Sequence, residues 1–194
     1  FETVWSQALP LVVRGAPGLL YDWSPTGFSR FLGHDPCDIV DCETDGVTRT
    51  TVNAFLEGLK ESKVGGPVLK LKDYPEDMLF KDKSPTLARD FKSALPVPMY
   101  TYDDGPLNLA AMYPLDYACK PDIGPKVYAA TASQCDNDHH GSTRLHMDMA
   151  DAVNIMAHGR ALWHIFASDD ANSIRRVLKQ HYPHLHDVIN SHRV

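Results

Sequence analysis

The chain has 194 residues, the length of one ordinary domain, and its 43% hydrophobic and 23% charged content matches the average globular protein. Its 19 basic and 25 acidic side chains leave a net charge of −6. That balance excludes a phosphate-binding surface as the main business and with it direct sequence-specific nucleic-acid binding, while suiting a basic partner. No apolar run approaches the ~20 residues needed to cross a bilayer and no leader-like segment opens the chain, so no membrane role is expected. The first residue is Phe1 rather than Met, which reads as a piece cut from something longer.

Leu9 to Arg14 reads as a buried strand ended by Gly15. Ser24-Pro25 opens a short helix carrying Phe28, Phe31 and Leu32, with proline in its first turn. Asp38 to Cys42 reads as a second short strand. Thr51 then caps a helix with Val52, Phe55, Leu56 and Leu59 at i, i+3, i+4 and i+7. Pro67 to Lys72 alternates as a half-buried strand does, and Ser84-Pro85 starts a helix that runs to about Leu95.

Residues 96–126 form a long irregular stretch whose Tyr100, Tyr102, Leu107, Leu109, Met112, Tyr113 and Tyr117 predict an ordered, packed loop. Strands are expected at Val127 to Ala132, Ser142 to Ala157 and Ala161 to Ala167, with a polar turn at Gln134 to Gly141. Asp169 to Tyr182 reads as a helix, and Ser191 to Val194 as the opening of one more strand. Many short strands with helices around them give an α+β domain built on an antiparallel barrel or double-sheet jelly roll. The four cysteines are Cys37, Cys42, Cys119 and Cys135. Only Cys37 and Cys42 are close, at a spacing loose for a zinc ribbon, so reduced intracellular thiols are expected.

The sharpest local feature is His146-Met147-Asp148. In a strand, alternation puts His146 and Asp148 on one face, supplying two corners of a 2-His-1-carboxylate iron site. With 20 aspartates and 10 histidines in the chain, about one His-x-Asp arises by chance, so the spacing alone is a weak signal. Asn154 shares that face, and a buried amide there would need a partner such as a bound ligand or the backbone. Thr143 falls on the opposite face unless a bulge intervenes. The late histidines His181, His184, His186 and His192 read as a polar helix end and loop.

Several blocks, in order, resemble JmjC-domain proteins of the histone lysine-9 demethylase subfamily that includes the hairless protein. They are Pro10 to Gly15, Val68 to Pro75, Leu95 to Thr101, Asp104 to Ala110, Lys120 to Tyr128, Gly141 to Asp148 with Asp151 to Met156, and Ala161 to Phe166. The resemblance implies one JmjC domain over residues 1–194, a double-stranded β-helix (a cupin-like jelly roll) with flanking helices. Its flanking part would cover about residues 1–126 and its barrel core about 127–194, incomplete before the last strands.

It implies a nuclear Fe(II)- and 2-oxoglutarate-dependent dioxygenase that demethylates lysine on histone H3 tails or another basic peptide, releasing formaldehyde. By motif match, His146 and Asp148 are iron ligands, and Thr143 bonds the distal carboxylate of 2-oxoglutarate. Asn154 lines the same pocket, and Arg160 occupies the slot of a lysine that related proteins place before the next aromatic. The third iron ligand is expected beyond Val194. Relatives are expected to carry a longer acidic insert between His158 and Ala161. Asp103, Asp104, Asp116 and Asp122 are candidates for a peptide groove, or else part of a solvated face. The alternatives are a catalytically inactive scaffold or peptide-binding module, and a protein hydroxylase of the same superfamily.

Overall fold

The computed structural model describes residues 1–114, 123–134, 141–148 and 150–185. In chain order the elements are helix α1 (Glu2–Trp5), helix α2 (Pro25–Leu32), strand β1 (Pro36–Asp41), strand β2 (Val47–Thr51), helix α3 (Val52–Glu61) and strand β3 (Leu69–Tyr74). Helices α4 (Phe80–Lys83), α5 (Pro85–Ala94) and α6 (Pro98–Thr101), strand β4 (Val127–Ala130) and helix α7 (Ala171–His181) follow. The chain divides into two compact units. One comprises Phe1–Arg14, Thr143–Ala152 and Ala161–Val194; the other comprises Gly15–Ser142 and Val153–Arg160.

The larger unit is an α+β layer. Its four strands pair antiparallel in the order β2-β1-β3-β4. One sheet face carries Cys37, Ile39 and Leu71, with Val127 and Ala129 packed beside them. Phe28 and Leu32 of α2, Val52, Phe55 and Leu56 of α3, Phe80 of α4 and Leu87 of α5 close over that face. Burying a side chain of this size is worth about 1.5–3 kcal/mol, so these apolar residues are what hold the helices to the sheet.

A bulge in β3 adjusts its register between Leu71 and Tyr74. Strand residues an odd number apart point to opposite faces, yet Leu71 and Tyr74 are both buried. The extra residue absorbs the mismatch, with Asp73 taking φ +54° and its carboxylate accepting the Tyr128 hydroxyl.

Local chemistry sets the helix starts. Ser24 Oγ accepts the Gly27 N–H at 3.2 Å with Pro25 in the first turn, and Thr51 Oγ1 accepts the Ala54 N–H at 3.3 Å. Gly27 is required by space, since a Cβ there would lie 2.1 Å from the Asp22 carbonyl oxygen. Asp90 of α5 is buried and ties down the chain before α2. Its carboxylate accepts the Leu20 N–H at 2.8 Å, the Tyr21 N–H at 3.1 Å and the Trp23 indole N–H at 2.7 Å. Beside it, Trp23 packs against Phe28, Phe80 and Phe91.

The smaller unit contains α1 and α7. α7 starts at Ala171, after a 3-10 turn over Ser168–Asp170, and a second 3-10 turn at Pro183–Leu185 follows it.

Three expected strands are corrected. Residues 9–14, 161–167 and the described part of 142–157 form no ladder. A strand persists only when a neighbour takes up its backbone donors and acceptors, whatever its side-chain alternation. The apolar residues there are accordingly exposed, among them Leu9, Leu145, Met147, Val153 and Trp163. The described ladder is the four-stranded sheet, and a second sheet that would make a jelly roll is not seen among the described residues.

The long loop is packed only in its first half. Tyr100 and Tyr102 are half-buried, whereas Leu107, Leu109, Met112 and Tyr113 are exposed. Tyr117, Cys119, Cys135 and the expected strand at 191–194 lie outside the described residues.

Candidate functional site

His146 and Asp148 come together without a strand. The His146 Nε2 lies 3.4 Å from Asp148 Oδ1, and both side chains are solvent-accessible. On the other side of the ring, His146 Nδ1 lies 2.8 Å from the Arg144 carbonyl oxygen. A carbonyl can only accept, so Nδ1 is the protonated nitrogen and its N–H donates. The other ring nitrogen, Nε2, faces the Asp148 carboxylate.

A cation placed between Nε2 and the Asp148 carboxylate would be held by both. Two ligands at right angles around an ion at ~2.1 Å stand about 3 Å apart, so the observed spacing needs only a small adjustment to hold one. A backbone carbonyl orienting the far ring nitrogen is also the usual support behind a ligating histidine. The residues present therefore fit a divalent metal, with two positions supplied. Among the described residues no group of three His, Cys, Asp or Glu side chains gathers to hold an ion.

The other expected site residues are distributed as follows. Thr143 is exposed and belongs to the same unit as His146 and Asp148. Without a strand, the alternation argument about the face of Thr143 or Asn154 no longer applies. Asn154 and Arg160 are exposed and belong to the larger unit. His181 closes α7, and His184 meets the Tyr182 ring edge-on at 6.4 Å between centroids. His186 and His192 lie outside the described residues.

The acidic residues considered for a peptide groove are in part already engaged. Lys92 Nζ donates to Asp103 Oδ1 at 2.7 Å and Asp104 Oδ1 at 2.8 Å, and lies 4.8 Å from the centroid of the Tyr102 ring. That contact holds the Asp104 carboxyl below its ordinary range and the Lys92 ammonium above its own. The pair fastens the loop after α5 to that helix. Asp116 and Asp122 lie outside the described residues.

Sequence reasoning missed the role of Arg144. Its carbonyl, two residues before His146, chooses the imidazole tautomer, and no side-chain signal marks a backbone acceptor. Within the larger unit, the Cys42 thiol lies 3.6 Å from the Ser142 carbonyl oxygen.

No protein-family model matches the chain. It is similar to lysine-specific demethylase 3A-A of Xenopus laevis, 34% identical over 228 residues that take in 93% of this chain and 17% of that protein. Human lysine-specific demethylase 3A is 32% identical over 227 residues, again 93% of this chain and 17% of the relative. The mouse protein described as a probable JmjC domain-containing histone demethylation protein 2C is 29% identical over 93% of this chain and 10% of its own length. The chain thus spans about a sixth of the length of the first two relatives and a tenth of the third.

Because 93% of 194 residues is about 180, a 228-residue alignment leaves some 48 positions at which the relative has residues and this chain has none.

Proposed function

We propose, from the premise that the chain belongs to the JmjC family of lysine-specific demethylases, that it is part of an Fe(II)- and 2-oxoglutarate-dependent histone demethylase. The observation that carries the reading is the His146–Asp148 pair, with Nε2 3.4 Å from a carboxylate oxygen and Nδ1 turned to the Arg144 carbonyl. The parent protein would act on methylated lysine in histone H3 tails, in the nucleus, with the JmjC jelly roll as its scaffold.

In this reading His146 and Asp148 hold the metal, and the Arg144 carbonyl keeps the imidazole from turning. The Thr143 hydroxyl donates to the distal carboxylate of 2-oxoglutarate. Arg160, a planar two-pronged donor, pairs with a carboxylate, and the Asn154 amide lines the same pocket. When bound, Fe(II) and 2-oxoglutarate supply an O₂-dependent oxidation of an N-methyl group, which leaves as formaldehyde. The chain's own share is orientation of the ligands and an open metal face.

The test is anaerobic titration of the full-length parent with Fe(II) in the presence of 2-oxoglutarate, reading bound metal per chain. One iron per chain is expected, lost in His146→Ala and in Asp148→Ala. Equal binding by wild type and both variants would refute the assignment of these residues. In the full-length parent, formaldehyde release from a methylated histone H3 peptide that survives His146→Ala would refute the catalytic reading in favour of a scaffold.

A further inference from the structure

We propose that residues 97–108 form a strained strap, hinged at Val97 and latched to α5 by Lys92, which opens when the Lys92 charge is removed and then offers Asp103 and Asp104 to a basic partner. The identity of that partner rests on the basic histone tail proposed above as substrate; the hinge and the latch do not. They belong to the larger unit, whereas the His146–Asp148 pair belongs to the smaller.

The strap is a preformed body. The Leu107 N–H donates to the Met99 carbonyl at 2.9 Å, the Gly105 N–H to the Tyr102 carbonyl at 2.9 Å, and the Asn108 side-chain amide to that same oxygen at 2.8 Å. Gly105 lets the two limbs close, since a Cβ there would lie 2.6 Å from the Met99 carbonyl oxygen. These bonds travel with the segment and do not fix its position on α5.

The hinge is set against its own preference. Val97 lies between α5 and α6 with φ +51° and ψ +60°, in the left-handed region. A β-branched side chain is poorly suited to that region, because both γ-carbons crowd the backbone. Val97 also precedes Pro98, and the residue before a proline relaxes to extended backbone. Both constraints push the same way, and such a conformation persists only where its surroundings enforce it. An extended Val97 would turn its carbonyl, which now accepts the Tyr100 N–H at 2.9 Å and the Thr101 N–H at 3.2 Å, and send α6 in a new direction.

Lys92, in the last turn of α5, supplies the enforcement. Its Nζ donates to Asp103 Oδ1 at 2.7 Å and Asp104 Oδ1 at 2.8 Å and stands 4.8 Å from the Tyr102 ring centroid, so three consecutive strap residues converge on one ammonium. The contacts are wet, with the Asp104 side chain 75% exposed, and each is weak in water. The closed strap is thereby held by a narrow margin that one charge decides. While it is closed, Lys92 occupies both carboxylates. Acylation of the amine would remove the charge and the contact with the ring together.

The test is amide hydrogen exchange, read by mass spectrometry on the full-length parent with no iron added. Lys92→Gln should speed exchange across residues 98–108 about tenfold. Lys92→Arg should stay near wild type, as should Arg89→Gln, which removes the same charge from an exposed position one turn away on α5. Adding Val97→Asn to Lys92→Gln should return most of the protection, because asparagine tolerates the left-handed region. By fluorescence anisotropy, a fluorescein-labelled heptapeptide of alternating lysine and glycine should bind Lys92→Gln about threefold more tightly than wild type or Arg89→Gln. Unchanged exchange in Lys92→Gln, no return of protection with Val97→Asn, or equal peptide affinity in Lys92→Gln and Arg89→Gln would overturn the proposal. None of these readouts involves iron, so they fail or succeed separately from the titration of the His146–Asp148 pair.

Discussion

Replacing Asp90 by Asn tests whether one buried carboxylate holds the chain before α2 to α5. The substitution keeps the shape and removes the charge, and it puts an NH₂ group in place of one of the two oxygens, of which Oδ1 now accepts from Leu20 and Oδ2 from Tyr21 and Trp23 at 2.7–3.1 Å. A hydrogen bond to a charged group contributes about 1.5–3 kcal/mol. The full sum is not lost, because Leu20 and Tyr21 are exposed and their N–H groups can turn to water. The Trp23 indole, packed among Phe28, Phe80 and Phe91, recovers less.

We therefore expect a loss of about 2–3 kcal/mol, which for a chain of this size lowers Tm by roughly 5–10 °C. Thermal unfolding followed by circular dichroism reads it directly, and a drop below about 1 °C would refute the reasoning. The pH dependence supplies a second reading. Burial of Asp90 works to raise its pKa, but the donations from Trp23, Leu20 and Tyr21 prevail and hold it lowered. A depressed folded-state pKa contributes stability that is present above the unfolded value of about 3.9 and is lost as pH falls through the folded value. The gap in Tm between wild type and Asp90→Asn should thus be constant near neutrality and close only below about pH 4.

Two further outcomes are expected. Phe80 is fully buried between the helices and the sheet, so Phe80→Ala should cost about 3–5 kcal/mol in urea unfolding, and a cost below about 1 kcal/mol would contradict its place in the core. Burial raises the pKa of the Cys37 thiol, so the native chain should protect it from a thiol-reactive dye, and Cys37→Ser should leave the count of rapidly reacting thiols unchanged.

What could be read from the sequence follows the range of the interactions involved. Helices α2, α3 and α5 were legible to within a residue or two because their starts are written locally, in Ser24-Pro25, Thr51 and Ser84-Pro85. Strands β1, β3 and β4 were expected, β3 from its alternation, with ends shifted by the pairing register. β2 was missed because Val47-Thr48-Arg49-Thr50-Thr51 offers one apolar residue and no alternation. Its signal was the preceding Asp45-Gly46 turn, together with the cross-strand Asp38–Arg49 ion pair that only the hairpin brings together. The strands expected at Leu9 to Arg14, Ser142 to Ala157 and Ala161 to Ala167 failed for the converse reason. Alternation describes one strand, but a ladder needs two. The juxtaposition of His146 and Asp148 was expected on strand parity and arises without it, since two residues apart in sequence is already near in space. The tautomer depends on a backbone oxygen and was out of reach.

The stretch Leu162-Trp163-His164-Ile165-Phe166 has a consequence for the life of this polypeptide in solution. Its four large apolar side chains are each more than half exposed, and the run holds no proline and no formal charge. Such a window is what cross-β nucleation and chaperone capture both require. The charges nearest to it are Arg160 on one side and Asp169 and Asp170 on the other, so those three residues act as its gatekeepers. The run is thus a place where one copy of the polypeptide can meet another, however firmly its core is packed.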